Sequence, residues 1–263
     1  MAKQPGRRIA LSLPRKWIAD LMHFSRHVPL VTAERRADLA PLVAAREQVP
    51  DPPAWAALFL KAYAIVAART PALRRAYIPV PWPHLYESPE SFASVAVARE
   101  FQGEPAVFFG LLRTPDCQPL PQLSARLHEF KTHPVETIRV FARLIRYTRY
   151  PLPIRRVMWW LGLNLSGKKR ADTIGTFGLT TVSGAGAGLL TPLAPAATIL
   201  NYGPFAADGG IDLRLNFDHR VMDGMTAAAA LHDLENVLRG EIVAELEALV
   251  GVGAREEVVA EAG

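Results

Sequence analysis

The stretch Ile211–Phe217 constrains this chain more than any other, because Ile211, Leu213, Leu215 and Phe217 alternate with Asp212, Arg214 and Asn216. A period of two over that length predicts a strand with one buried face. Gly224 closes the strand, and the alanine-rich run Met225–Leu238 has helical composition and apolar spacing. His219 therefore falls where a strand meets a helix, held from both sides. An unperturbed imidazole titrates near pH 6.5, so it can take and return a proton at neutral pH. A lone histidine in such a place more often just bonds neighbouring backbone. His219 stands instead in a spaced set, Asp218-His219-Arg220 followed by Asp223-Gly224.

Elsewhere the pattern predicts alternating helices and strands. Arg15–Phe24 reads as a short helix after Pro14, and Val28–Ala33 as a strand. Arg36–Gln48 reads as a second helix, and prolines at 50, 52 and 53 break the chain before an apolar helix over Ala54–Thr70. Tyr77–Tyr86, rich in proline and aromatics, is a shaped loop or sheet edge rather than a central strand. Ser91–Val97 and Ala106–Leu112 are strands about the turn Gln102-Gly103-Glu104, and Leu120–Lys131 is helical. Ser183–Gly188 has alternate glycines but neither the spacing of a dinucleotide fingerprint nor that of a phosphate loop, so it reads as a flexible turn.

Composition bounds the function. The 263 residues are 50% hydrophobic, enough for a buried core, and the net charge of +5 suits an anionic partner without selecting one. The single cysteine, Cys117, excludes an intrachain disulfide and a cysteine-rich zinc site, and fits a cytoplasmic setting. No signal peptide is read in the basic N-terminus, and the Ala54–Ala68 segment, carrying Lys61, falls short of the ~20 apolar residues of a membrane span. The histidine pairs His23/His27 and His128/His133 lie far in sequence from His219 and bring no third ligand, so no metal is expected.

Asp218-His219-Arg220 with Asp223-Gly224 resembles the active-site signature of the dihydrolipoamide acyltransferases and of their relative chloramphenicol acetyltransferase. Gly175–Val182 resembles the same family's Gly-x-Phe-Thr-Ile-Ser-Asn-Leu segment, with Thr180 where the family has serine. Ser25–Thr32, Leu42–Gln48 and the helix around Lys61 parallel the family's early elements, so the resemblance runs from about Arg15 to about Leu249. It implies an α+β chloramphenicol acetyltransferase-like two-layer sandwich, a mixed sheet with helices packed on it, as one catalytic domain over 1–263 with a mobile tail from about 250. It also implies the roles of the site residues. His219 is the general base, its second ring nitrogen fixed by a local hydrogen bond. Thr180 supplies the oxyanion donor, its hydroxyl kept and its extra methyl narrowing the channel. Asp223 holds the shape of the site through a salt bridge to an arginine, by family position Arg15, with Gly224 in support. A homotrimer follows, each site taking His219 from one subunit and Thr180 from the next.

The lipoyl domain and the partner-binding domain of such acyltransferases have no counterpart in the sequence, so the acyl carrier is expected to be coenzyme A or a separate acyl carrier protein. No nucleic acid is expected as a partner. The segment 135–170 is longer than the family's connection and interleaves Arg139, Arg143, Arg146, Arg149, Arg155 and Arg156 with Phe141, Leu144, Ile145, Met158, Trp159 and Trp160. Read as a pair of helices, it suits an anionic membrane surface, an acidic carrier protein, an apolar acyl pocket or packing on its own or a neighbouring subunit. Two functions remain open: an acyltransferase acting between coenzyme A or a carrier and an unidentified acceptor, and a non-catalytic trimeric scaffold or acyl-ligand binder.

Overall fold

Six strands form one mixed sheet: β1 (Leu30–Asp38), β4 (Phe92–Phe101), β5 (Glu104–Arg113), β6 (Phe177–Thr180), β7 (Thr198–Tyr202) and β8 (Gly210–Asp218). Their spatial order is β1-β8-β7-β6-β4-β5, with β6 parallel to both of its neighbours and the remaining pairs antiparallel. This is a computed structural model, and it describes residues 6–251. The tail acids Glu256, Glu257 and Glu261 lie outside the described residues.

One face of the sheet makes the main core. Phe177 and Leu179 of β6, Leu200 and Tyr202 of β7, and Leu213, Leu215 and Phe217 of β8 meet helix α3 (Trp55–Arg69) and helix α8 (Gly224–Val237). Tyr63 of α3 packs 4.6 Å from Phe177 and Phe59 packs 4.0 Å from Tyr202, centroid to centroid. Helix α3 is apolar over most of its surface because the sheet, α8 and helix α4 (Leu120–Thr132) cover most of it, Lys61 pairing with Glu245 where it is not apolar.

Helices α1 (Leu13–Ser25) and α5 (Arg139–Thr148) close over the edge strand β5, Trp17 lying 4.7 Å and Phe141 4.8 Å from Phe108 on the core face, while Ile18 and Leu21 of α1 reach the second face beside Val107 and Phe109. Helices α6 (Leu152–Asn164) and α7 (Gly167–Ile174) follow, so the 135–170 segment holds three helices rather than two, the break at Ser166 arising because its hydroxyl caps α7. Arg155 and Arg156 are not part of a solvated basic face. Both turn inward onto Asp20 of α1, Arg155 at 2.6 Å and Arg156 at 3.3 Å, and Asp20 is fully buried.

Three local expectations change. β8 is covered on both faces, since Arg214, Asn216 and Asp218 are buried too. Each finds partners: Arg214 pairs with Glu34, Asn216 accepts from Thr32 at 2.6 Å, and Asp218 pairs with Arg220. The helix expected from Arg36 begins only at Ala40, as α2 (Ala40–Glu47), because β1 continues in register with β8 to Asp38 opposite Gly210. Arg35 and Arg36 are held in the strand by Glu235 and Asp212, and Pro41 sits in the first turn of α2. Gly224 opens α8 rather than closing the strand, which ends at Asp218. The Tyr77–Tyr86 stretch, as expected, stays out of the main sheet, within a two-stranded ribbon of β2 (Arg75–Ile78) and β3 (His84–Glu87).

Candidate active site

His219 is presented by a turn that its two neighbours lock. Asp218, fully buried at the end of β8, takes a two-pronged contact from the Arg220 guanidinium at 2.9 and 2.7 Å, and Arg220 also stacks 4.4 Å over Tyr77. The backbone N–H groups of Val221 and Met222 donate to the Asp218 carbonyl, and both side chains are buried. His219 itself points to solvent, tied only by its backbone N–H to the Pro29 carbonyl at 3.1 Å and by its ring against Phe217. The expected local hydrogen bond to a ring nitrogen is not made: neither nitrogen has a partner among the described residues.

Asp223 caps α8. Its Oδ1 accepts from the Thr226 N–H at 2.8 Å, and that bond, ahead of the nearby His219, holds its carboxyl below the usual value. The proposed salt bridge to Arg15 is absent from the chain. Arg15 is exposed in the first turn of α1, where Ser12 caps its backbone N–H, and its guanidinium pairs with no carboxylate among the described residues. Within the chain Asp223 holds the start of α8, and no arginine pairs with it among the described residues. Gly224 meets nothing within 4 Å of where a Cβ would stand, so within one chain no contact demands a glycine there.

Thr180 ends β6. Two hydroxyls compete for the oxyanion role, and their bonding separates them. Thr181 Oγ1 is consumed in the following turn, bonded to Ser183 and to the Tyr202 carbonyl, whereas Thr180 Oγ1 has no partner among the described residues. The glycine that opens this motif is required: at Gly175 φ is +92°, and a Cβ would stand 2.8 Å from the Phe92 carbonyl.

One residue beside Thr180 escaped sequence reasoning. Asn201 of β7 is the register partner of Thr180, is fully buried, and leaves both side-chain atoms without a hydrogen bond. The signal was an asparagine inside a buried, largely apolar run, Thr198–Tyr202. Arg170 was likewise unexpected as a structural residue. It is buried, donates to the carbonyls of Tyr77, Leu163 and Pro195, and burial lowers its pKa to about 10.

A single chain keeps His219 and Thr180 apart. Thr180 is level with Asn201 and, through it, with Arg214 of β8, five positions before His219. At strand geometry that is about 17 Å along the strand and about 10 Å across it. Behind Thr180, on the second face, lies a cavity of about 800 Å³ bounded by α5, α6 and α7. Among the described residues no three His, Cys, Asp or Glu side chains converge as a metal site would require, and no helix is long and apolar enough to cross a membrane.

No family model matches the sequence, and no curated protein is similar to it by sequence. Solved structures do share its fold. The dihydrolipoamide acetyltransferase of Azotobacter vinelandii superposes with a TM-score of 0.65 at 22% identity, over 92% of this chain and 94% of that one. A probable dihydrolipoamide acetyltransferase from Listeria monocytogenes gives 0.63 at 19%, over 93% and 95%. The cubic core of the pyruvate dehydrogenase multienzyme complex gives 0.60 at 21%, over 94% and 100%.

Proposed function

Starting from the fold of dihydrolipoamide acetyltransferase catalytic domains, we propose that this protein is an acyltransferase whose active site forms between two copies of the chain, as in a homotrimer. The observation that carries the reading is complementary incompleteness. His219 and Thr180 lie at opposite ends of two strands that β7 separates, each with its reactive atoms free, so a second copy is what would bring a base and a hydroxyl donor together. In the Azotobacter protein a serine, a histidine and an asparagine four positions after that histidine are tied to the catalytic mechanism. Here Thr180, His219 and Asp223 stand in that order with the same spacing of four between the last two.

The chemistry follows from those groups. A neutral His219 nitrogen takes the proton of the attacking thiol, alcohol or amine, which then adds to the carbonyl carbon of an acyl thioester. The carbonyl π electrons move to oxygen, and the Thr180 hydroxyl donates to that oxyanion. Collapse breaks the carbon–sulfur bond, and the leaving thiolate recovers the proton from His219. Coenzyme A or an acyl carrier protein supplies the thioester. Asp223 keeps the first turn of α8 in place behind the histidine, and the Asp218–Arg220 pair keeps the turn rigid.

Purified protein incubated with a panel of acyl-CoA donors and thiol, alcohol and amine acceptors should release free coenzyme A and yield the acylated acceptor. His219→Ala should lower the rate by about 10²–10⁴-fold with the fold retained. A second reading, a non-catalytic acyl-ligand binder, draws on the cavity, which stands without His219. Unchanged wild-type behaviour in His219→Ala, with no coenzyme A release by either protein, would decide for it.

A further inference from the structure

The cavity behind Thr180 is larger than anything the shared chemistry of acyl transfer requires. It opens to solvent on one side, and its volume of about 800 Å³ lies within the ~300–1,000 Å³ of small-molecule sites. Its floor is built for depth. Ser94 of β4, Gly178 of β6 and Ile199 of β7 are register partners across the second face, so two of three neighbouring strands present little or no side chain there. Thr180 is two residues beyond Gly178 and faces the same way, which puts its free hydroxyl at one end of this trough. The roof comes from α6, which rests on α1 and α7 rather than on the strands, with Met158, Trp159 and Gly162 turned to the space.

From this arrangement we infer that the protein handles long-chain acyl groups, with the alkyl tail lying in the cavity and the thioester carbonyl at Thr180. The inference names the substrate of the acyl-transfer site and rests on that reading for the position of the carbonyl. The walls are dominated by aliphatic and aromatic side chains, which can hold a hydrocarbon but offer little to orient a polar molecule. The charged groups present divide in two. Asp20 is held by Arg155 together with Arg156, while Arg143 and Lys169 have no carboxylate partner among the described residues and suit the phosphates that every coenzyme A or carrier-bound donor brings.

Gly162 makes the test clean. A Cβ there would meet nothing within 4 Å, and replacing a glycine inside a helix favours the helix, so Gly162→Phe should fold while occupying the roof of the cavity. The probe is cis-parinaric acid, a fluorescent long-chain fatty acid that needs no turnover. Wild type and the Gly162→Ala control should bind it saturably, and Gly162→Phe should weaken it by about tenfold or more. His219→Ala should bind like wild type. Should Gly162→Phe fail to give a cooperative unfolding transition, Ala96→Leu on the opposite wall replaces it. No saturable binding by wild type, or equal binding by the cavity-filling variant, overturns the inference. Binding lost in the filled variant without any acyl transfer by wild type sustains the cavity assignment and sinks the enzymatic reading. Transfer from acetyl-CoA with no binding of the fatty acid does the reverse.

Discussion

Asn201 and Thr180 are register partners on the second face of the sheet, one a fully buried amide without a hydrogen bond, the other a hydroxyl equally free. A buried polar group left unpaired costs about 1–3 kcal/mol. If that cost is borne for the reaction rather than for the fold, replacing the amide should gain stability and lose turnover. Asn201→Leu should therefore raise stability by about 1 kcal/mol or more in urea denaturation while lowering kcat for acyl transfer. A variant that is less stable and fully active would remove Asn201 from the site.

If the site forms between copies, two dead proteins should make a live one. His219→Ala and Thr180→Val are each expected to be inactive, the second losing about 10²–10³-fold as oxyanion donors do. Co-expressed, they should regain activity, because an interface can draw its histidine from one variant and its threonine from the other. Activity of the mixture no greater than that of the separate variants would place both residues in one chain.

Asp20 ties the roof to the body of the protein. Removing one partner of a buried ion pair strands the other charge, at a cost of about 3–5 kcal/mol. Asp20→Ala should show that loss in denaturant unfolding, and since the group is sheltered from solvent the wild-type contribution should change little between low and high salt. Indifference to Asp20→Ala would mean that α6 is held by its apolar contacts alone.

Asp223 gives a pH signature with a definite sign. Its folded carboxyl lies below the ordinary value, so the folded state binds a proton less readily than the unfolded chain. The stabilisation is complete above about pH 3.9, the unfolded value, and is lost as pH falls through the lower folded one. Asp223→Asn keeps a capping oxygen but has nothing to titrate, so its stability should fall less steeply in that acidic window than that of wild type. Parallel acid-unfolding curves for the two proteins would contradict the capping role.

The sequence carried the elements whose pattern is local. The α3 helix, the β4–β5 hairpin and the first-face alternation of β8 each read correctly because composition, period and turn residues agree within a few positions. The errors arose where distant segments decide. Arg214 and Asn216 are covered where the connection between β6 and β7 crosses their face, with Gly188 against Arg214 and Thr191 3.3 Å from the Thr32 that bonds Asn216, and Asp218 is held by Arg220. Arg36 joins a strand because β8 extends its ladder, and Arg155 turns inward because Asp20 waits on a helix more than a hundred residues earlier. His219 and Thr180 were legible as motifs. Their separation within one chain was expected only through the family resemblance, since it depends on strand order, which no periodicity records.

That order also bears on how the protein reaches its shape. β6 is only four residues long, yet it is the strand that joins the β4–β5 hairpin to the β1-β8-β7 half of the sheet, and it arrives after α4 to α7 have intervened. Closing so long a connection costs little at equilibrium, about 0.6 kcal/mol for each doubling of its length. Its toll falls on the rate, because pairing between segments far apart in sequence must precede the contacts that reward it. The strand that bears Thr180 is thus the seam of the sheet, and Thr180 reaches its place only when β6 has paired with β4 on one side and β7 on the other.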